Sequence, residues 1–241
     1  MKYTNKFLLI AHRGASNIAP ENTLKAFRMA MDLNADGIEF DVRQSRDGEL
    51  VIIHDNNVFR TTHRFGFINR MNLDTIKSLD AGEGEQIPTL REMTSIVKGK
   101  VILMCELKVH GISEQVVNIL KNADLIDSTI VISFKHNELL KVQKIEPDLK
   151  IGSIIPSGSG WITNWYEKKK AILFASSHGF FSINPFYPII NQKLVDFAHH
   201  HGLKVFPWTV NSKRAVKKLK EMGVDGVLTN NISKVKKFLF I

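Results

Sequence analysis

The chain has 241 residues, 44% of them hydrophobic and 24% charged, the balance of an ordinary globular protein. Its formal charge of +9 gathers in Lys168–Lys170 and in the lysines and arginines from Lys213 to Lys237; it reads as solvated helix faces drawn to anionic substrates or weakly to an anionic membrane surface, and without interleaved aromatics it gives no reason to expect nucleic acid. No apolar run reaches the roughly 18 residues of a membrane span, and the apolar segment before His12 is too short for a secretory leader, so a cytoplasmic location is expected.

In chain order, an apolar strand over 7–11 runs into His12-Arg13-Gly14-Ala15. Pro20-Glu21-Asn22-Thr23 then opens an amphipathic helix over 22–34, with Asn22 expected as its N-cap. A second strand, 36–43, carries Glu39 and Asp41. Asp47-Gly48 is a strong hairpin signal. If these two residues are the turn, Arg46 pairs with Glu49, and counting back sets Asp41 opposite His54. Residues 55–87 form an insertion, expected as a small cap over the mouth of one domain spanning 1–241. They hold Phe65-Gly66-Phe67, a helix-like piece near 72–79 and a Gly82–Gly84 loop.

Beyond the insertion, strands are expected at 101–107, 129–133, 150–154, 179–182, 203–207 and 225–228. Helices follow at 111–123, 136–146, 163–177, 191–201, 211–222 and 232–239. Cys105, the single cysteine, lies in an apolar strand and reads as a small buried hydrophobe. Eight such units in a chain of this length predict a TIM (β/α)8 barrel with a small insertion after the second strand, the doubly wound sheet being the alternative. Leu33–Glu39 and Met222–Leu228 both pass through Asp-Gly into a strand, which predicts one α-to-β corner used twice.

Side chains alternate along a strand. If Ile38, Phe40 and Val42 face the helices, Glu39 and Asp41 face the barrel interior. The same parity turns Ile102, Met104, Glu106 and Lys108 inward. Three carboxylates in one mouth repel one another unless a cation lies between them, and oxygen-only ligation suits Ca2+ or Mg2+. His12 at the end of the first strand and His54 at the end of the hairpin are the candidate acid–base pair. Arg13 and Lys108 are candidates for holding a phosphate, and Trp208 for walling the alcohol end of a substrate. His63, His110, His136, His178 and His199–His201 lack such company and are expected on the surface or in loops.

Taken together these pieces resemble the glycerophosphodiester phosphodiesterase family. His12-Arg13-Gly14-Ala15, Pro20–Thr23, Ile38–Val42, Asp47-Gly48, His54-Asp55, Pro88–Leu90, Glu106-Leu107-Lys108, Ser133-Phe134, Trp208–Asn211 and Asp225–Asn230 carry the resemblance in family order. It implies a TIM barrel, a divalent cation held by Glu39, Asp41 and Glu106, and His12 and His54 as acid and base. It also implies hydrolysis of a glycerophosphodiester to sn-glycerol 3-phosphate and an alcohol. In the mechanism it implies, the glycerol 2-hydroxyl attacks phosphorus and water then opens a cyclic phosphate, with His12 as the first base and His54 as the acid. Asn231-Ile232-Ser233 departs from the family, which usually has an aromatic or acidic residue and a proline there. The stretch 56–62 also departs, though it keeps Arg60-Thr61-Thr62. Two other readings remain at this point: a lysophospholipase D-like enzyme acting at a membrane surface, and a non-catalytic barrel that binds a phosphorylated ligand.

Overall fold

The computed structural model describes residues 6–97, 99, 101–155 and 164–239, apart from the side chain of Phe238. Its elements are β1 (Leu8–His12), α1 (Leu24–Asp32), β2 (Gly37–Gln44), β3 (Leu50–Ile52), α2 (Phe59–Thr62), α3 (Leu73–Lys77), α4 (Leu90–Val97), β4 (Ile102–Leu107), α5 (Ser113–Asn122) and β5 (Thr129–Ser133). They continue as α6 (His136–Ile145), β6 (Lys150–Ile155), α7 (Trp165–Ser177), β7 (Ser182–Pro185), α8 (Gln192–His200), β8 (Lys204–Val205), α9 (Lys213–Glu221), β9 (Gly226–Thr229) and α10 (Ile232–Leu239). Eight strands pair in the order β8-β7-β6-β5-β4-β2-β1-β9, and β3 hangs antiparallel from β2. The Asp225 N–H donates to the Val205 carbonyl at 3.1 Å and the Leu228 N–H to the Pro207 carbonyl at 2.9 Å, which brings the two ends of the sheet together as a barrel.

Strand parity divides the core in two. Ile10, Ile102, Met104, Ile132, Ile154, Phe206 and Leu228 fill the barrel. Ile38, Phe40, Val42, Leu103, Cys105 and Leu107 pack outward under the helices. Burial pushes the Cys105 thiol well above its ordinary range, so it stays a neutral packing group.

The Asp-Gly corner is built as expected and its helix cap recurs. At the end of α1, the Asn34 N–H donates to Met31 and the Ala35 N–H to Ala30; at the end of α9, Gly223 and Val224 donate to Lys220 and Leu219. The aspartates then tie neighbouring strands, Asp36 accepting from the Leu9 N–H and Asp225 from the Val205 N–H. A Cβ on Gly226 would strike the Leu8 carbonyl, so the corner needs glycine.

Three expectations are corrected. The strand expected at 179–182 lies at Ser182–Pro185. Gly179, at φ +67, is the left-handed cap of α7, with Gly179 donating to Ser176 and Phe180 to Ala175. A helix, α4, also forms at Leu90–Val97 where none was expected. Lys168 is buried and donates to the Ile189 carbonyl, so it belongs to no solvated face. The expected helix start at 163, and the residues before Lys6, lie outside the described residues.

Candidate active site

The site grows from the strand ends. β2 turns Glu39 and Asp41 into the barrel, each 1% exposed, and β4 does the same with Glu106 beside Asp41 in register. One carboxylate oxygen from each lies within 4.8 Å of the others. Two cations meet them. Lys108 Nζ is 2.8 Å from Glu106 and 3.4 Å from Asp41, and Arg13 Nε is 3.3 Å from Asp41.

The three acids do not titrate alike. Burial pushes Asp41 up, but Lys108, Arg13, His54 and the Asn22 amide outweigh it and hold the carboxyl down at about 2. Burial and the Asp41 charge push Glu106 up to about 7 against the pull of Lys108. Glu39 is raised by burial and by repulsion from Asp41 and Glu106. Lys108 and Arg13 therefore cannot balance all three acids at once: ionising the whole trio needs a further positive charge. Oxygen ligands at about 2.3–2.6 Å from a calcium ion span at most about 5 Å across it, so the three oxygens fit one hard cation. Asp41 Oδ1 is buried without a hydrogen bond, a donor atom left over for such an ion.

His12 closes β1. Its Nδ1–H donates to Asn230 Oδ1 at 2.7 Å, which leaves the Nε2 lone pair facing the site, 3.9 Å from Glu39. Burial first, then the Arg13 charge, lowers its pKa to about 4, so the ring is neutral at pH 7. The chain then turns at Arg13 (φ 57) and Gly14 (φ 78). A Cβ on Gly14 would come within 2.8 Å of Ala26, so the close seating of this turn on α1 requires glycine. The turn aims the Arg13 N–H at Glu39 Oε2, 2.9 Å away.

His54 arrives by a different register from the one expected. The hairpin pairs Val42 with Ile52, and the Ile53 N–H donates to the Asp41 carbonyl, so Ile53 rather than His54 opposes Asp41. The cause is a three-residue loop: the Gly48 N–H donates to Ser45, Gly48 takes φ 88, and the Ser45 N–H donates to Glu49. His54 has left the ladder. Arg43 holds it by donating Nε and Nη2 to the His54 carbonyl at 2.8 and 2.6 Å. The His54 Nδ1–H donates to Asp55 at 2.7 Å, Asp55 accepts from Arg60, and Arg60 reaches Glu21, which accepts from Arg13. Burial lowers the His54 pKa, with Asp41 and Asp55 pulling the other way.

Asn22 is a second correction. Thr23 is the N-cap of α1, accepting from the Ala26 N–H. Asn22, buried at φ 59, donates Nδ2 to Asp41 Oδ2 at 2.8 Å and so orients the carboxylate. Asn230, Asp55, Arg43 and Glu21 also support the site without having been singled out. Each has an ordinary alternative as a loop or surface residue, and each partner is set by the fold.

A cavity of about 80 Å3 gathers His12, Arg13, Glu39, His54, Glu106 and Lys108 on one side, and Ile132, Phe134, Ile154, Trp208 and Leu228 on the other. All the singled-out residues therefore meet at one mouth, with Asp41 buried beneath them. Trp208 donates Nε1 to the Asn184 carbonyl and packs edge-on against Phe134 at 5.9 Å. A larger cleft of about 1110 Å3 opens where the strands begin; Lys6, Arg28, Asp32, Asp36 and Lys236 line it, with no histidine and no acid cluster. None of the seven remaining histidines lines the mouth cavity. His136 is half-buried against Phe174, and His199 pairs with Asp225.

The sequence matches the model of the glycerophosphoryl diester phosphodiesterase family over residues 12–234. It is 39% identical to the glycerophosphodiester phosphodiesterase of Caldanaerobacter subterraneus subsp. tengcongensis, covering 94% of this chain and 95% of that protein. The fold is similar to that of an Oleispira antarctica phosphodiesterase solved in complex with the product sn-glycerol-3-phosphate. That likeness has a TM-score of 0.84 and 28% identity, covering 96% of each chain. It is also similar to the glycerophosphodiester phosphodiesterase of Thermotoga maritima, with a TM-score of 0.82 and 26% identity, covering 96% of this chain and 97% of that one.

Proposed function

The chain belongs to the glycerophosphoryl diester phosphodiesterase family and is an enzyme of that kind, and we propose that it hydrolyses glycerophosphodiesters to sn-glycerol 3-phosphate and an alcohol by two-histidine, cation-assisted catalysis. The observation that carries this reading is the placement of two histidines, each with Nδ1 already engaged, around one buried carboxylate trio.

Glu39, Asp41 and Glu106 hold a divalent cation, Ca2+ or Mg2+. Bound there, it offsets the trio's negative charge and polarises a phosphoryl oxygen. Arg13 and Lys108 supply further positive charge for the phosphate from the same wall.

The backing of the two rings supports a division of roles. Asn230 is a neutral amide whose support for a charged His12 is outweighed by burial and the Arg13 charge, so His12 keeps a free Nε2 lone pair, the form a general base requires. Asp55 is a carboxylate and favours the charged form of His54, the form a general acid requires. His12 takes the proton of the glycerol 2-hydroxyl as that oxygen attacks phosphorus. His54 protonates the leaving alcohol. The roles reverse when water opens the cyclic phosphate. Ile132, Ile154, Phe134 and Trp208 wall the opposite side and receive the alcohol part of the substrate.

The test is release of glycerol 3-phosphate from glycerophosphocholine, -ethanolamine and -glycerol, with and without a chelator. Release that stops with chelator and returns with added Ca2+ or Mg2+ is expected. Activity indifferent to the chelator would remove the cation from the reaction.

A further inference from the structure

The segment 56–72 of the insertion turns its aromatic residues outward. Val58, Ile68 and Ile76 bury themselves in a small apolar cluster beneath it. Phe59, Phe65 and Phe67 stay out, 46%, 87% and 45% exposed. Phe59 and Phe65 stack on each other with ring centres 4.6 Å apart, and the Arg70 guanidinium lies 5.4 Å from the Phe67 ring. The same segment carries Arg60, Arg64 and Arg70 and no Asp or Glu. Arg60 is taken by Asp55 and Glu21. Arg64 and Arg70 are exposed and in no ion pair among the described residues.

Beside Phe67 lies a groove of about 190 Å3 between Arg43, Gln44, Asn56, Asn69 and Arg70, with no carboxylate in its lining. The exposed Arg70 guanidinium makes a site for an anion among these amides, backed by the charge of Arg43, whose Nε and Nη2 hold the His54 carbonyl. A protein partner would call for a flat apolar centre with a polar rim. Here the rings stand on a bent loop with arginines between them, the arrangement that suits a bilayer surface: rings at the acyl boundary, guanidiniums at lipid phosphates.

We infer that this face docks on an anionic lipid surface, with a lipid phosphate in the Arg43–Arg70 groove and Phe59 and Phe65 at the acyl boundary. Phe59 begins α2, and Arg60 of that helix holds the Asp55 partner of His54. Docking therefore sets the barrel mouth beside the bilayer from which headgroup diesters are released.

Co-sedimentation with vesicles of phosphatidylcholine alone, and of phosphatidylcholine with phosphatidylglycerol, tests it without any turnover. The wild type is expected to sediment with the anionic vesicles only, and to be released by high salt. Phe65→Ser lowers the partition roughly tenfold, and the double variant Arg64→Gln/Arg70→Gln roughly 25-fold, about fivefold for each charge. Both side-chain sets are exposed, so both variants fold, and both hydrolyse soluble glycerophosphocholine at the wild-type rate. The inference is overturned if the wild type ignores anionic vesicles. It is equally overturned if both variants bind undiminished while Lys217→Gln/Lys218→Gln on α9 does not, or if Phe65→Ser instead dissociates a dimer in lipid-free solution. Failure here leaves the hydrolytic reading intact, because that reading is scored on soluble substrate.

Discussion

On one side of the mouth, β1, β2 and β4 and the exit from β3 bring together His12, Arg13, Glu39, His54, Glu106 and Lys108; on the other, β5, β6, β9 and the segment after β8 bring Ile132, Ile154, Leu228 and Trp208. The groups on the charged side are fixed by named partners: His12 by Asn230, His54 by Asp55, Glu39 by the Arg13 N–H, Arg13 by Glu21, Glu106 and Lys108 by each other, and Asp41 beneath them by Asn22. The apolar side is held by packing, with one oriented hydrogen bond from Trp208. Buried charge has to be balanced group by group, whereas apolar surface needs only shape. Under the proposed function the charged side carries the chemistry, and Glu39 and Glu106 are held there at a cost in stability, so the two sides should respond differently to substitution.

Glu106→Gln gives the largest effect and separates those two consequences. Activity falls to background, because the trio loses one anionic donor. The metal-free protein, in contrast, gains stability. Glu106 is raised to about 7 in the folded state, above its ordinary value, so it destabilises the fold when ionised. That penalty is absent below the ordinary carboxylate range and grows as pH rises from about 4.5 through 7. Thermal melting in chelator should show the variant more stable than wild type at pH 8 and equal to it near pH 4. A variant less stable at pH 8 would mean that the Lys108 pair, not the repulsion, dominates.

His12→Ala comes next, with a loss of roughly 10^2–10^4-fold in kcat. The wild-type pH profile carries the sign. A ring lowered to about 4 stays unprotonated through pH 6.5, so the acid limb of kcat/KM should lie below the range of a free imidazole. An acid limb at 6.5 or above would assign it to another group. Asp55→Asn is smaller, roughly tenfold, since the His54 ring remains and only its backing is lost. Because Asp55 raises the His54 pKa, its removal should move the alkaline limb to lower pH. Asn230→Ala should leave that limb in place.

How much of this division was legible depended on how local its causes are. Parity alone brought Glu39, Asp41 and Glu106 to one face, because a strand's alternation is a property of two adjacent residues. The Asp41–His54 register failed by one place, because Ser45 and Glu49 close a three-residue loop where Asp47-Gly48 suggested two. Asn22 and Asn230 stayed hidden because their partners lie 19 and 218 residues away. The missed α4 did carry a local signal: Thr89 and Glu92 form a reciprocal capping box, the Glu92 carboxylate accepting from the Thr89 N–H and Thr89 Oγ1 from the Glu92 N–H.

Trp208→Ala is expected to have the smallest effect and tests the comparison most directly. The indole forms the apolar wall with Phe134, and its N–H is taken by the Asn184 carbonyl. A wall touches ground state and transition state alike, so its loss should raise KM by roughly three- to tenfold and leave kcat unchanged. The change should also depend on the leaving alcohol, larger for a choline than for a glycerol headgroup, since a quaternary ammonium loses an aromatic face as well as contact area. If kcat falls instead while KM holds, the indole is orienting the substrate for the histidines. The apolar side would then share in the chemistry, and the division between the two sides of the mouth would not stand.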